Sequence, residues 1–130
     1  MDNGLSKSEI ISGKNAVNVL MNQGHWGVCE NLKYCWLLRK DGEGNRIMVS
    51  VPKRNFKRAV KRNLLKRRLR ESYRTQKKLL PASADADILF FYNTKEILDS
   101  ETIRGNVAKV LEAVAAKAKQ QEFQAQPLKH

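Results

Sequence analysis

The chain is poor in the residues from which a protein builds a chemical centre of its own. Its 130 residues hold two cysteines, Cys29 and Cys35, and two histidines, His25 and His130. Two thiols cannot frame a disulfide-stapled fold; they form no CxxC pair, and no histidine stands at metal-ligand spacing from them. Both are expected to be small, reduced and partly buried. His25 is isolated and His130 is terminal, so there is no histidine pair. Acid is missing where a metal site would need it: from Lys53 to Lys78, Glu71 is the only carboxylate. Asp85 and Asp87 lie close to Pro81 and Ser83 and read as turn residues. No direct protein ligand set for a metal is therefore expected, and catalysis by side chains alone would be hard to build. Long apolar runs are absent too. None approaches the roughly 20 residues that span a bilayer, and MDNGLSKSEI lacks the apolar core of a signal peptide. The expectation is a cytoplasmic protein with no membrane partner.

Base, by contrast, is abundant and confined. The net charge is +12, with 25 Lys and Arg against 13 Asp and Glu. Thirteen of those bases lie between Lys53 and Lys78, so this segment alone carries the whole excess, and elsewhere the charges cancel. A charge kept for solubility is spread out, whereas one concentrated in a fifth of the chain marks a binding face for a polyanion. With 42% hydrophobic residues the chain is globular, and its length suits one domain with one modest core.

Hydrophobic periodicity predicts the order α-β-β-β-α-β-α, an α+β sandwich of helices on a small, mainly antiparallel sheet. Residues 1–11 read as loose. Ser12 is the expected N-cap of a helix carrying Ala16, Val17, Leu20 and Met21, which Gly24 stops. A short strand is expected around Trp26–Cys29. KYCWLL (33–38) and RIMVSV (46–51), separated by RKDGEGN, predict a hairpin, and Pro52 takes the chain out of the sheet. A basic helix follows over 59–79. ILFFY (88–92) predicts a strand buried on both faces. A last helix over 101–119 has Asp99 or Ser100 as cap and Ile103, Val107, Val110, Leu111 and Val114 as its stripe. The tail QQEFQAQPLKH (120–130) predicts disorder. One domain, residues 1–119, precedes it.

The basic helix contains VKRNLLKRRLRESYR. At 100° per residue, Leu64, Leu65, Leu69 and Tyr73 fall on one side, with Val60 at its edge. Arg62, Lys66, Arg67, Arg70, Arg74 and Lys77 fall on the opposite arc, and Asn63 lies among them. Arg68 falls inside the apolar arc, so its stem must snorkel or the helix must be rotated. A solvated helix face mixes acids with bases to gain i,i+4 pairs; this one has Glu71 alone, and the repulsion costs stability unless a partner compensates. Nucleic acid is the commonest such partner. A helix that reads DNA presents varied side chains to base edges. Arg and Lys at one-turn spacing suit an irregular phosphate backbone, which favours RNA over DNA, and Asn63 suits a 2′-hydroxyl or a hydrated metal ion. Physical reasoning leaves open a structural RNA binder, a DNA-binding regulator and a protein-only nuclease.

AVKRNLLKRRLRESYR also resembles the signature RNxxKRxxR of the protein subunit of bacterial ribonuclease P, matching it at Arg62, Asn63, Lys66, Arg67 and Arg70. SVPKRNFKRAV (50–60) resembles the segment before that signature, and the likeness runs over about 5–119. The resemblance implies an accessory subunit of a ribonucleoprotein endonuclease in which the RNA is the catalyst. That RNA removes the 5′ leader of precursor tRNA with Mg²⁺ held mainly by the RNA. Implied partners are ribonuclease P RNA and precursor tRNA, with no DNA. The implied RNA-binding residues are Arg58, Lys61, Arg62, Asn63, Lys66, Arg67, Arg70 and Arg74. No catalytic residue and no direct metal ligand are implied, although Asn63 could act through metal-bound water. The family binds the leader in a cleft between the sheet and the first helix. Candidates there are Tyr34 and Trp36, which share a strand face and would either stack on bases or sit in the core under a helix, together with Ser50, Lys53 and Arg54. Met21 stands where the family commonly presents Phe. The resemblance also implies a left-handed strand-helix-strand crossover, against the general right-handed rule.

Overall fold

The computed structural model describes Leu5 and residues 7–125. In chain order its main elements are α1 (Lys14–Gln23), β1 (His25–Cys29), β2 (Leu32–Leu38), β3 (Arg46–Ser50), α2 (Ala59–Arg74), β4 (Ala86–Tyr92) and α3 (Ser100–Ala125). The expected α+β order is therefore observed. The four strands form one sheet in the order β1-β2-β4-β3. β1 and β4 both run antiparallel to β2, while β3 runs parallel to β4, with α2 as the connection between them.

That order overturns the hairpin expected between residues 33–38 and 46–51: β4 lies between those two strands. The reason is burial. β4 is the most apolar strand, with Ile88, Leu89, Phe90 and Tyr92 all buried, and an interior position pairs both of its edges and sets it under the helices on either face. The loop RKDGEGN arches over the start of β4. Gly42 and Gly44, both at positive φ, donate their backbone N–H groups to the two carboxylate oxygens of Asp85 at 3.0 and 2.9 Å. The real hairpin joins β1 to β2 through Glu30, at φ 55°, and Asn31. Of the two acids expected in a turn, Asp87 lies instead within β4, buried between Arg39 at 3.0 Å and Arg46 at 2.8 Å. These ion pairs tie β4 to the ends of its two neighbours.

The two faces of the sheet are covered unequally. α2 and α3 pack Leu65, Leu69, Tyr73, Ile103, Val107 and Leu111 against Leu32, Trp36, Ile47, Ile88, Phe90 and Tyr92. The expected stripe of α3 is completely buried. Asp99 caps that helix by accepting from the Thr102 N–H at 2.8 Å. On the other face α1 packs Leu20, with Ala16 and Val17, on Cys35, Leu89 and Met48. The Cys35 thiol, whose pKa burial pushes up, donates to the Leu20 carbonyl at 3.3 Å. A Cβ on Gly24 would lie 2.4 Å from the Leu20 oxygen and 2.5 Å from the Cys35 sulfur, so only glycine lets α1 turn this tightly into β1.

Several boundaries differ from expectation. Gly13 at φ 88° is the N-cap of α1, in place of Ser12, and no side chain caps the helix. Residues 7–11 are ordered against the sheet edge: Ile10 bridges Ile47, and Ile11 is buried and donates its N–H to the Ile47 carbonyl at 2.9 Å. The rest of the segment expected to be loose, residues 1–4 and 6, lies outside the described residues. α2 ends at Arg74, and a 3-10 turn at Lys77–Leu79 follows. α3 continues past Lys119 to Ala125 because an alanine-rich run with no glycine or proline gives it no stop. Residues 126–130 lie outside the described residues. Among the described residues no helix is long and apolar enough to cross a membrane.

Candidate nucleic-acid interface

The basic helix is rotated from the position that leucine placement predicts. Leu65, Leu69, Ser72 and Tyr73 are buried, whereas Val60 is 79% exposed and Leu64 lies at the surface. Docking against both the sheet and α3 selects the narrower 65/69/72/73 stripe, since α3 occupies the flank on the Arg68 side. Arg68 is half-buried there and donates to the Leu98 carbonyl at 2.6 Å, which resolves its place inside the apolar arc.

The rotation sorts the cations by task. Arg62 turns inward and donates from Nη1 to the carbonyls of Phe56 at 2.7 Å and Lys57 at 2.9 Å. Phe56 is buried edge-on against Tyr92, so Arg62 holds the 52–58 segment at the start of the helix. Arg74 pairs with Glu71 at 2.6 Å, and Lys77 pairs with Glu9 at 2.6 Å. The Arg74 guanidinium is held above its ordinary pKa by its hydrogen bond to Glu71. Lys66, Arg67 and Arg70, with Asn63, form the outward arc, and none of them has a hydrogen-bond or ion-pair partner among the described residues. The helix start adds to this field. Arg58 is its N-cap, no side chain caps it, and its first turn holds no acid. Basic residues at the positive end of a helix dipole repel it, and an anion there relieves both charges. Arg70 lies at the outer edge of β3, where it lines a shallow cleft of about 210 Å³ with Ile10 and Met48.

Beside that edge lies an open strip of sheet. The register aligns Val28, Lys33, Phe91 and Ser50 across all four strands on the face that carries α1. α1 covers the neighbouring row of Cys35, Leu89 and Met48 and leaves this one open. Val28 is 66% exposed, Lys33 is exposed, and Phe91 and Ser50 are half-buried. Lys53 and Arg54 are exposed in the turn that follows Ser50 and β3. Trp26 extends the strip at the β1 edge, with the Lys33 ammonium 5.1 Å from its ring centroid. The arrangement can hold a single strand: an aromatic ring on a flat floor, with cations at both ends.

A family model described as Ribonuclease P matches residues 10–115. The chain is 34% identical over 119 residues to the ribonuclease P protein component of Porphyromonas gingivalis strain ATCC 33277, covering 86% of this chain and 87% of that one. This chain belongs to the ribonuclease P protein family. The fold agrees: the ribonuclease P protein of Staphylococcus aureus superposes with a TM-score of 0.71 at 22% identity, over 82% of this chain and 95% of that one. The protein from Thermotoga maritima gives a TM-score of 0.68 at 23% identity, over 81% and 96%.

Within the family signature, then, the structure brings Asn63, Lys66, Arg67 and Arg70 together on one surface, with Arg58 and Lys61 exposed at the helix start. Arg62 and Arg74 are engaged by the protein itself. Of the residues expected in the leader cleft, Met21 is 44% exposed on α1, and Ser50, Lys53 and Arg54 adjoin the open strip. Tyr34 and Trp36 do not. Both face the α2–α3 layer, and Trp36 is 6% exposed in its core. Period two says correctly that they share a face; it does not say which layer covers that face. Phe91 and Lys33 were missed. No local signal marked them. The five residues of ILFFY span about 17 Å, close to the roughly 15 Å of the ten-residue α1. Only the placement of α1 over the Cys35–Leu89–Met48 row leaves Phe91 open.

Proposed function

We infer that this chain acts as the accessory, RNA-binding protein subunit of ribonuclease P, partnered with the ribonuclease P RNA. Membership of the family supports the subunit assignment and the RNA partner. The observation that carries the mechanism is the free outward arc of Asn63, Lys66, Arg67 and Arg70 ending at the edge of an open, aromatic sheet strip. We propose that this arc lies on phosphates of the catalytic RNA and that the strip receives the 5′ leader of precursor tRNA, with Phe91 stacking on a base. Both steps would take place in the cytoplasm.

Each cation that neutralises a phosphate releases condensed counterions, so affinity falls steeply with salt. Removing that repulsion lets the catalytic RNA and the substrate RNA approach closely. The arc does not fit a metal ion directly. It offers one amide, Asn63, and the one carboxylate of α2, Glu71, is engaged by Arg74. Mg²⁺ is assigned to the RNA, with the chain contributing phosphate neutralisation around it.

The test is cleavage of precursor tRNA at low Mg²⁺ by a bacterial ribonuclease P RNA, with and without this protein. Protein-dependent production of the mature 5′ end, with no cleavage by protein alone, is the expected result. Tight RNA binding without any stimulation across several such RNAs would replace this reading with a general RNA-binding role.

A further inference from the structure

A second groove lies on the opposite face of the sheet, apart from the arc and meeting the strip only at Trp26, on the β1 edge. It has a volume of about 400 Å³ and opens between the β1–β2 hairpin and the distal half of α3. Its sheet side is built from His25, Tyr34 and Trp36. His25 stacks on Trp36 with ring centroids 4.6 Å apart and planes 33° from parallel. Tyr34 lies across the backbone of Gly27, where an added Cβ would stand 2.6 Å from the ring. Glycine in the edge strand thus lets the tyrosine lie flat, and the rings that face the groove are Tyr34 and the exposed His25, with Trp36, 6% exposed, behind His25. Ala113 and Lys117 of α3 form the facing wall, with Gln120 beyond them. Ala113 is too small to fill the space over the rings, which is why the groove exists.

The lining specifies a class of ligand. Aromatic faces, one ammonium, one amide with donor and acceptor and, among the described residues, no carboxylate suit a flat heteroaromatic ring joined to an anion. The volume falls within the range of small-ligand pockets, roughly 300–1,000 Å³. We propose that this groove is a second RNA contact, binding one unpaired nucleotide with its base on the rings of His25 and Tyr34 and its phosphate at Lys117. The strip beside α1 lies on the other side of the sheet. The groove thus gives this subunit a second single-strand site on the opposite face. This rests on the reading of the partner as RNA, but not on the leader occupying the strip.

The groove supplies its own probe, because the only two tryptophans of the chain, Trp26 and Trp36, both border it. Single-stranded oligoadenylate is titrated into the full chain while tryptophan fluorescence is followed, and binding is measured in parallel by anisotropy of the labelled oligonucleotide. Quenching is expected at saturation. Lys117→Glu and Ala113→Leu, the second of which fills the groove, should weaken the quenching interaction about tenfold. Trp26→Phe, which removes the tryptophan shared with the strip, should leave a quenching signal from Trp36 that still depends on Lys117. Circular dichroism melts establish that each variant is folded, and the surface change at Lys117 serves if Ala113→Leu is not. Absence of quenching, or quenching indifferent to Lys117→Glu, overturns the proposal. So does a concentration-dependent dimer abolished by Ala113→Leu, which would make a second copy of the chain the occupant. Loss of the Lys117-dependent signal in Trp26→Phe would assign it to the strip instead.

Discussion

The guanidinium of Arg62 donates to the carbonyl oxygen of Phe56 at 2.7 Å, across the turn that leads into α2. The first arginine of an RNA-binding signature is thus also part of the fold. It ties a buried aromatic anchor to the helix whose outward side carries the free cations.

Arg62→Ala and Arg67→Ala should therefore fail differently. A charge-assisted hydrogen bond contributes about 1.5–3 kcal/mol, so losing the Arg62 bonds should lower the melting temperature by several degrees or more. Arg67 is exposed and without a partner among the described residues, so its removal should leave the melt unchanged. RNA affinity should fall instead, with the slope of log K against log salt reduced by roughly 0.7–0.9. Thermal melts and salt titrations of RNA binding separate the two effects.

Trp36 and Phe91 offer the converse comparison. Trp36→Ala empties a core site and should cost about 3–5 kcal/mol, a large part of the stability of a small domain. Phe91→Ala, at a half-buried position, should leave the chain folded and weaken binding to precursor tRNA about tenfold through the loss of one stacked base. Affinity for mature tRNA, which has no leader, should not change. Equal losses on both RNAs would remove Phe91 from the leader site.

Gly24→Ala should destabilise the protein by about 1–3 kcal/mol through overpacking. The new methyl would meet two backbone oxygens, those of Leu20 and Trp36, as well as the Cys35 sulfur. The backbone atoms cannot retreat without lifting α1 from the sheet. Hydrogen exchange over residues 14–23 should rise in this variant more than exchange over α3.

Alkali should unfold the protein by way of its tyrosines. Burial, with Glu9 as a smaller cause, pushes Tyr73 up to about 12. Tyr34 and Tyr92 are also raised, again chiefly by burial. A raised pKa means that the folded state holds its phenolic protons longer than the unfolded chain, whose tyrosines ionise near pH 10. The associated stability is complete below pH 10 and is lost as pH rises from there towards about 12. The denaturation midpoint should fall across that window, and Tyr73→Phe should flatten the fall without changing stability at pH 7.

Much of this molecule follows from local pattern. The basic segment, the buried stripe of α3, the Asp99 cap and the apolar β4 are all legible because charge density, a 3.6-residue period, capping chemistry and an unbroken apolar run are properties of adjacent residues. The exposed positions of Asn63, Arg67 and Arg70 were legible in the same way.

The tertiary structure decided which partner each pattern meets. Only packing inserts β4 between β2 and β3, because a loop of turn residues closes a hairpin and arches over a strand equally well. Only the uneven cover of the sheet sends Trp36 into the core and leaves Phe91 open, since a period of two gives both faces of a strand the same signature. And only the rotation of α2 against α3 divides one run of like charge into Arg62, which holds the fold, and Arg67 and Arg70, which stay exposed without a partner among the described residues. Sequence placed the charge; the third dimension determined which of it is free.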